Sequence, residues 1–152
     1  MPKLKRLSDW TSRIIVRTRV GIVFVRKGHE PWHLPGGKKD SEDRTPLCTA
    51  KRELPEETGI PDDRGYFRLR FTRSSRQGKK NKYDIDYFEA AYPSDIVEKE
   101  LKPFGDDGEE TTILSYAQIR TGTNINTTHL SMLRRLKCLR PPNSKTRSRR
   151  CM

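Results

Sequence analysis

Three glutamates lie close together in one short segment and are the residues best suited to chemistry in this sequence. Glu53, Glu56 and Glu57 are spaced i, i+3 and i+4, so they would share one face of a helix. Like charges at this spacing repel each other and destabilise an isolated helix. The face is therefore either solvated or covered by a cation. Carboxylate oxygens suit Mg2+, Mn2+ or Ca2+ better than they suit zinc.

Signals on both sides of this segment predict the helix that would present the glutamates. Thr45 is a typical N-cap and Pro46 a typical first helical residue, whereas Gly59 fits the position just past a helix end. Pro55 removes one helical hydrogen bond, which predicts a kink or irregular backbone in the last turn. The residues predicted to pack on a sheet recur at helical spacing: Leu47, Ala50, Leu54 and Thr58.

The rest of the chain predicts a sheet with a few short helices. Residues 13–26 read as one long strand or as two strands broken near Gly21. Further strands are predicted at 32–34, 66–72, 83–90 and 110–114, with a basic hairpin connection at 73–82. Helical segments are predicted at 96–101, 116–120 and 128–139.

Length and composition predict one domain, residues 1–140, followed by a basic and disordered tail at 141–152. No apolar run approaches the roughly 18 residues that cross a bilayer, so no membrane association is expected. Residues 1–10 lack the apolar stretch of a signal peptide. The three cysteines are widely scattered, which favours free thiols. Together these features predict a cytoplasmic location.

Positive charge is concentrated in two segments of the chain. The net charge is +12, and residues 68–82 and 134–150 hold seven and eight cations, respectively, without a single acid. Such segments favour polyanionic partners, including phosphates and RNA. The alternative is a solvated basic hairpin and a solvated basic tail.

Residues 34–37 (Leu-Pro-Gly-Gly) and 52–60 together resemble the Nudix box. The second half of the box matches at every defined position: Arg52, Glu53, Leu54, Glu56, Glu57, Gly59 and Ile60. The first half departs from the family pattern, because one extra residue separates Gly37 from Arg52. Asp43 or Glu42 would then substitute for the first glutamate of the box.

The resemblance implies an α+β fold, namely a Nudix-type α/β/α sandwich with a central mixed sheet. The box helix would lie on one side and a C-terminal helix on the other. It also implies hydrolysis of a pyrophosphate bond in a nucleoside diphosphate-linked substrate, such as a (d)NTP, a dinucleoside polyphosphate or a nucleotide sugar. Alternatives are a polyanionic substrate (an RNA 5′ end or a diphosphoinositol polyphosphate) and a non-catalytic nucleotide- or RNA-binding module.

By the same resemblance, Glu53, Glu56 and Glu57 would ligate Mg2+ or Mn2+. The Gly37 carbonyl would be a further ligand, and Arg52 would orient a glutamate by ion pairing. The general base would be a box glutamate or a glutamate from a later loop. For the latter the candidates are Glu109 and Glu110, which an ordinary acidic surface loop would explain equally well.

Substrate contacts are expected on the basic hairpin, from Lys80, Lys82 and Tyr83, although a solvated hairpin tip is the alternative. His33 is expected at an ordinary strand position, and His129 is expected to be structural or exposed. Many members of the family dimerise, so a homodimer is a further prediction.

Overall fold

The described residues form a four-stranded sheet, a two-stranded ribbon and four α-helices. The computed structural model describes residues 9–77, 81–93 and 95–142, with the backbone alone for residues 75–77 and 81–83. The strands are β1 (Trp10–Ile15), β2 (Gly21–Arg26), β3 (Gly36–Lys38), β4 (Tyr66–Gln77), β5 (Asn81–Ala91) and β6 (Glu110–Ser115). The helices are α1 (Pro46–Thr58), α2 (Ile96–Glu100), α3 (Tyr116–Thr121) and α4 (Thr127–Arg135).

The larger sheet is mixed, as predicted. Its strand order is β3-β1-β5-β4, with β1 and β5 parallel and the other neighbours antiparallel, while β2 pairs with β6 in a separate ribbon. Neighbouring residues of a strand point to opposite faces, so Ile14 and Ile15 enter different cores. Ile14 packs in the cluster that contains Leu54 of α1, and Ile15 packs in the cluster that contains Leu133 of α4. This arrangement confirms the predicted sandwich.

Helix α1 begins and ends where the sequence predicts. The Thr45 hydroxyl accepts the Cys48 N–H at 3.2 Å, and Gly59, at φ +81°, donates its N–H to the Pro55 carbonyl. The helix continues through Pro55 to Thr58, so the last turn keeps helical backbone despite the missing hydrogen bond. The prediction for Leu47 was wrong, because this side chain is exposed. Its place in the buried stripe is taken by Thr49.

Other boundaries differ from the predictions for local reasons. Residues 13–26 form two strands because Thr18 closes a turn by accepting the Val20 and Gly21 N–H groups. Residues 32–34 form only isolated bridges, and the strand begins at Gly36. The hairpin strands β4 and β5 extend well into the predicted loop. Helix α4 ends at Arg135 because Lys137 adopts a left-handed backbone conformation, φ +59°.

All of these helices are short. The longest described helix, α1, has 13 residues. Within the described ranges, no helix combines the length and the apolar character needed to cross a bilayer.

Candidate active site at the end of the first helix

The last turn of α1 faces β3, and two glycines let the backbone approach its carboxylates. The Gly36 N–H donates to Glu57 Oε1 at 2.8 Å. At Gly37 a Cβ atom would lie 2.7 Å from Glu53 Oε2. Gly36 has φ +143°, and a Cβ there would meet the Ser12 carbonyl oxygen at 1.9 Å. Close packing therefore requires a glycine at position 36, whereas a side chain at position 37 would displace the Glu53 carboxylate.

Two carboxylates of this turn are difficult to ionise. Burial raises the pKa of Glu57 to about 8, against the opposing effect of the Gly36 N–H, and the Glu53 and Glu109 carboxylates add to the rise. Burial also raises the pKa of Glu53, although Arg52 opposes that change. The site thus gathers more carboxylate than its own cations stabilise, which is the condition that an external cation would relieve.

The loop before β6 closes the site from the other side. The Asp106 N–H donates to the Glu56 carbonyl at 2.8 Å, which satisfies a helix-end carbonyl and fixes the loop against α1. At Gly105 a Cβ would lie 2.4 Å from the Glu57 carbonyl oxygen and 2.7 Å from Glu109 Oε1. Glu109 is buried, and its Oε1 has no hydrogen-bond partner among the described atoms.

Glu110 is not part of this group. In the ribbon register Glu110 stands opposite Arg26, and the two side chains form an ion pair at 3.1 Å. Its side chain is 45% exposed. The structure therefore brings Glu109 to the end of α1 and leaves Glu110 on the ribbon. The sequence could not choose between these adjacent acids, because their faces depend on where β6 begins.

Arg52 and Asp43 form the most extensively bonded ion pair of the site. Arg52 Nε donates to Asp43 Oδ1 at 3.2 Å and Arg52 Nη2 donates to Asp43 Oδ2 at 2.8 Å. The hydrogen bonds from Arg52 lower the pKa of Asp43 to about 2, and the Thr49 hydroxyl and the Asp40 N–H also donate to this buried carboxylate. Glu42 is exposed. Of the two candidates for the divergent box position, it is Asp43 that pairs with Arg52.

The remaining box glutamates share the same guanidinium. Arg52 Nη1 donates to Glu53 Oε2 at 3.0 Å and to Glu56 Oε1 at 3.3 Å. With Glu57 held by Gly36 instead, no three His, Cys, Asp or Glu side chains converge as metal ligands within the described part of the chain. The donor set still fits a hard divalent cation, because every candidate side chain offers carboxylate oxygens. In addition, Glu109 Oε1 has no hydrogen-bond partner among the described atoms. Such a cation would compete with Arg52 for the carboxylates of Glu53 and Glu56.

The predicted substrate contacts are not tested by this structure. Lys80 lies outside the described residues. Lys82 and Tyr83 belong to β5, but only their backbone is described.

Sequence reasoning missed two residues that hold the Leu-Pro-Gly-Gly segment. Arg13 Nη1 donates to the Leu34 carbonyl at 3.0 Å. The Leu34 N–H in turn donates to Nδ1 of His129, which is buried on α4. A charged residue beside Ile14 and Ile15 in strand β1 was a signal for Arg13. His33 lies beside them, with its Nδ1 at 3.1 Å from the Leu34 carbonyl oxygen.

The fold is similar to several solved structures at low sequence identity. A MutT protein from Methanosarcina mazei Go1 is 17% identical with a TM-score of 0.66, and the match covers 89% of this chain and 96% of that one. A mutT/nudix family protein from Listeria innocua is 21% identical with a TM-score of 0.62, covering 86% and 92%. An Ap4A hydrolase from C. elegans is 13% identical with a TM-score of 0.60, covering 85% and 95%. At such identities the similarity shows the fold.

No curated protein sequence matches this chain significantly. The family model for the NUDIX domain, in contrast, matches residues 10–136, which is most of the chain. The matched range includes both halves of the divergent box and the C-terminal helix. The match confirms the resemblance that residues 34–37 and 52–60 indicate. The chain belongs to the NUDIX family of pyrophosphohydrolases, enzymes that act on phosphoanhydride bonds and generally use a divalent metal.

Proposed function

We propose that this protein hydrolyses a pyrophosphate bond in a nucleotide-type substrate with Mg2+ or Mn2+ as cofactor. Glu53, Glu56 and Glu57 would hold the cation, with the Gly37 carbonyl as a further ligand. The observation that carries the proposal is the grouping of carboxylates at the end of α1. There the Gly36 N–H holds Glu57, and the buried Glu109 Oε1, which has no hydrogen-bond partner among the described atoms, lies near the Glu57 backbone. When bound, a divalent cation neutralises phosphate charge and makes a coordinated water more acidic.

The surrounding residues keep these carboxylates in place. The Gly36 N–H fixes Oε1 of Glu57, and no described residue donates a hydrogen bond to Oε2, which would bind the cation. Arg52 orients Glu53 and Glu56 from the opposite side, and its own position is fixed by Asp43. Orientation of this kind is valuable because small displacements of catalytic groups reduce rates strongly.

Glu109 is the general base in this proposal. A base must take a proton from the attacking water, so it needs an oxygen that is not already used as an acceptor. Glu109 Oε1 is buried and has no hydrogen-bond partner among the described atoms, and it lies beside the end of α1. Glu110 is engaged by Arg26 instead.

A nucleotide-type substrate is supported by the chemistry of the protein surface and by similar folds. Nucleotide phosphates suit a chain with net charge +12. Among the similar folds are the Ap4A hydrolase and a bifunctional NMN adenylyltransferase/ADP ribose pyrophosphatase from Francisella tularensis. We assign Lys80, Lys82 and Tyr83 as substrate contacts on the β4–β5 hairpin. The presence of all three box glutamates argues against a purely binding module.

Several predictions from the sequence stay part of the proposal. The domain spans residues 1–140 and carries a basic tail at 141–152. The protein is cytoplasmic and forms a homodimer. The alternative substrates are an RNA 5′ end and a diphosphoinositol polyphosphate.

A hydrolysis panel with a matched pair of variants tests the proposal. Wild-type protein is assayed with Mg2+ and with Mn2+ against (d)NTPs, dinucleoside polyphosphates and nucleotide sugars. We expect Glu109→Gln to lower kcat about 100-fold or more, in the range for loss of a general base, and Glu110→Gln to stay within about twofold. Failure to cleave any pyrophosphate substrate would contradict the activity. A larger loss in Glu110→Gln than in Glu109→Gln would contradict the assignment of the base.

A further inference from the structure

Described residues from both cationic segments line one surface groove of the folded protein. Its walls are strand β4, which overlaps the segment 68–82, and helix α4, which leads into the segment 134–150. The groove has a volume of about 610 Å3. Arg73 lies on the β4 wall and Arg135 on the α4 wall, and none of the described residues that line the groove is acidic. Only the fold creates this site, because about 60 residues separate the arginines.

Both arginines are available to an anion. Arg68 and Arg70, which are also on β4, pair with Glu89. Arg73 and Arg135 are exposed and form no ion pair with any residue that the structure describes. The Arg135 guanidinium lies 4.5 Å from the centre of the Phe71 ring, which holds this cation at the groove. The groove is therefore lined by two arginines that no described carboxylate pairs with.

The spacing of the polar groups fits a chain of phosphates better than a compact cluster. Arg135 lies seven positions after Thr128 on α4, which is about 10 Å along a helix. The hydroxyl side chains of Thr127, Thr128 and Ser131 line the groove on the N-terminal side of Arg135. Arg134 and Lys137, which lie next to and two positions from Arg135 in the chain, are also exposed. Groups distributed in this way match phosphates and ribose hydroxyls that recur along a strand.

The groove is connected to the candidate active site through α4. Thr128 lines the groove, and the next residue, His129, accepts the Leu34 N–H. Leu34 lies two residues before Gly36, whose N–H holds Glu57. Along this path the separation is on the order of 20 Å or less, from the dimensions of the backbone. A strand of a few nucleotides could bridge it.

We propose that the groove between β4 and α4 binds the sugar–phosphate backbone of a single-stranded RNA, whose phosphorylated 5′ end is hydrolysed at the box. This inference rests on the proposed function and specifies its substrate class. Arg73 and Arg135 contact phosphates, and the hydroxyl groups of α4 contact phosphate or ribose oxygens. In the reaction one water is consumed and one phosphoanhydride bond breaks, which leaves the RNA with a shortened 5′ phosphate and releases the cleaved part as inorganic phosphate or pyrophosphate.

Binding is tested with an unstructured 12-nucleotide RNA that carries a 5′ triphosphate and a 3′ fluorophore. Its affinity is measured by anisotropy at several salt concentrations, for the full chain and for two double variants. Arg73→Glu with Arg135→Glu changes the groove. Arg64→Glu with Lys99→Glu is the matched control, because it makes the same charge change at exposed positions on other elements.

We expect the groove variant to bind RNA at least 10-fold more weakly than the control variant does. Its plot of log K against log salt should be less steep by about 1.4, since each of the two lost phosphate contacts on a single strand contributes about −0.7 to the slope. The ratio of kcat/KM for the RNA to that for a nucleoside triphosphate should fall at least 10-fold. Ser131→Trp, which narrows the groove without changing charge, should lower the same ratio.

Equal losses in the groove and control variants would overturn the inference, because binding would then follow net charge alone. The choice of RNA would be overturned if inorganic polyphosphate of matched charge bound as tightly as the RNA does. The groove variant would then have to weaken both ligands equally. Hydrolysis of nucleotides without RNA binding would reject this inference and leave the proposed function intact. RNA binding in the groove without cleavage of any pyrophosphate substrate would reject the proposed function instead.

Discussion

Asp43 and Glu57 are two carboxylates at opposite ends of one site, and the fold treats them in opposite ways. Hydrogen bonds from Arg52 lower the pKa of Asp43 to about 2, whereas burial raises the pKa of Glu57 to about 8. The Asp43 carboxylate accepts hydrogen bonds from a guanidinium, a hydroxyl and a backbone N–H. Glu57 receives one backbone N–H. An acid with several hydrogen-bond donors, such as Asp43, stabilises the local structure. An acid with few donors, such as Glu57, is suited to bind a cation.

Asp43 also shows how the divergent loop before α1 is joined to the box helix. This loop has one residue more than the family pattern, and the Asp43 side chain is one methylene shorter than that of glutamate. The Asp43 N–H donates to the Asp40 carbonyl at 3.1 Å, which closes a turn, and the Asp43 carboxylate pairs with Arg52.

The variant Glu57→Gln is the strongest test of the contrast between Asp43 and Glu57. We expect the rate of hydrolysis to fall about 100-fold or more. Substitution of residues that only hold metal ligands in place already lowers metal affinity or activity about 10- to 100-fold. The metal-free variant should be at least as stable as wild type at pH 8, since the substitution removes a poorly solvated charge. Activity assays and calorimetry in the presence of a chelator measure both effects. A destabilised but active variant would show that Glu57 is structural.

Asp43→Asn tests the other end of the site. Loss of the charge leaves Arg52 without its main partner, and we expect about 2–3 kcal/mol lower free energy of unfolding, as for other charged hydrogen bonds that are partly buried. Glu42→Gln is the matched control, and its exposed side chain should change stability by less than about 0.5 kcal/mol. Urea unfolding measures both variants. Equal effects would mean that the Asp43 pair does not hold the loop.

The position of Gly36, on which Glu57 depends, is tested by His129→Ala. The variant leaves the Leu34 N–H without its acceptor, which should cost about 1–3 kcal/mol of stability. We expect kcat to fall about 10-fold with KM little changed, because the glycine segment shifts while the substrate contacts remain. His29→Ala changes an exposed histidine and serves as control. A loss confined to stability would show that His129 does not position the site.

Proton release on metal binding gives the smallest and most specific signal. Because the folded pKa of Glu57 is raised, its contribution to the stability of the metal-free protein is fully present below its ordinary pKa and is lost as pH rises through about 8. Mg2+ should therefore raise Tm more at pH 9 than at pH 6. It should release about one proton at pH 7 and almost none at pH 9.

Calorimetric titration with Mg2+ in buffers of different ionisation enthalpy measures the number of protons released. Glu57→Gln should abolish the release at pH 7, and Asp43→Asn should preserve it, because Asp43 is already ionised at that pH. Release that persists in Glu57→Gln would assign the proton to another carboxylate, such as Glu53, whose pKa burial also raises.

Much of the fold could be predicted from local signals. The cap at Thr45, the end at Gly59 and the contiguous box glutamates each depend on neighbours within a few residues, so the sequence specifies them directly. Alternation in β4 and β5 likewise predicted the sheet. The errors, such as Leu47 and the end of α4, fall where packing or one left-handed residue outweighs periodicity.

By itself the sequence determined the family, the box helix and the cluster of carboxylates, because these properties are encoded in adjacent residues. Only the tertiary structure decided that Asp43 meets Arg52, that Glu109 rather than Glu110 reaches α1, and that His129 holds Leu34. It also brought Arg73 and Arg135 to one groove. Most of these contacts join residues far apart in the chain. At the strand positions, Arg73 and the Glu109–Glu110 pair, a shift of one residue in register would turn the side chain to the opposite face.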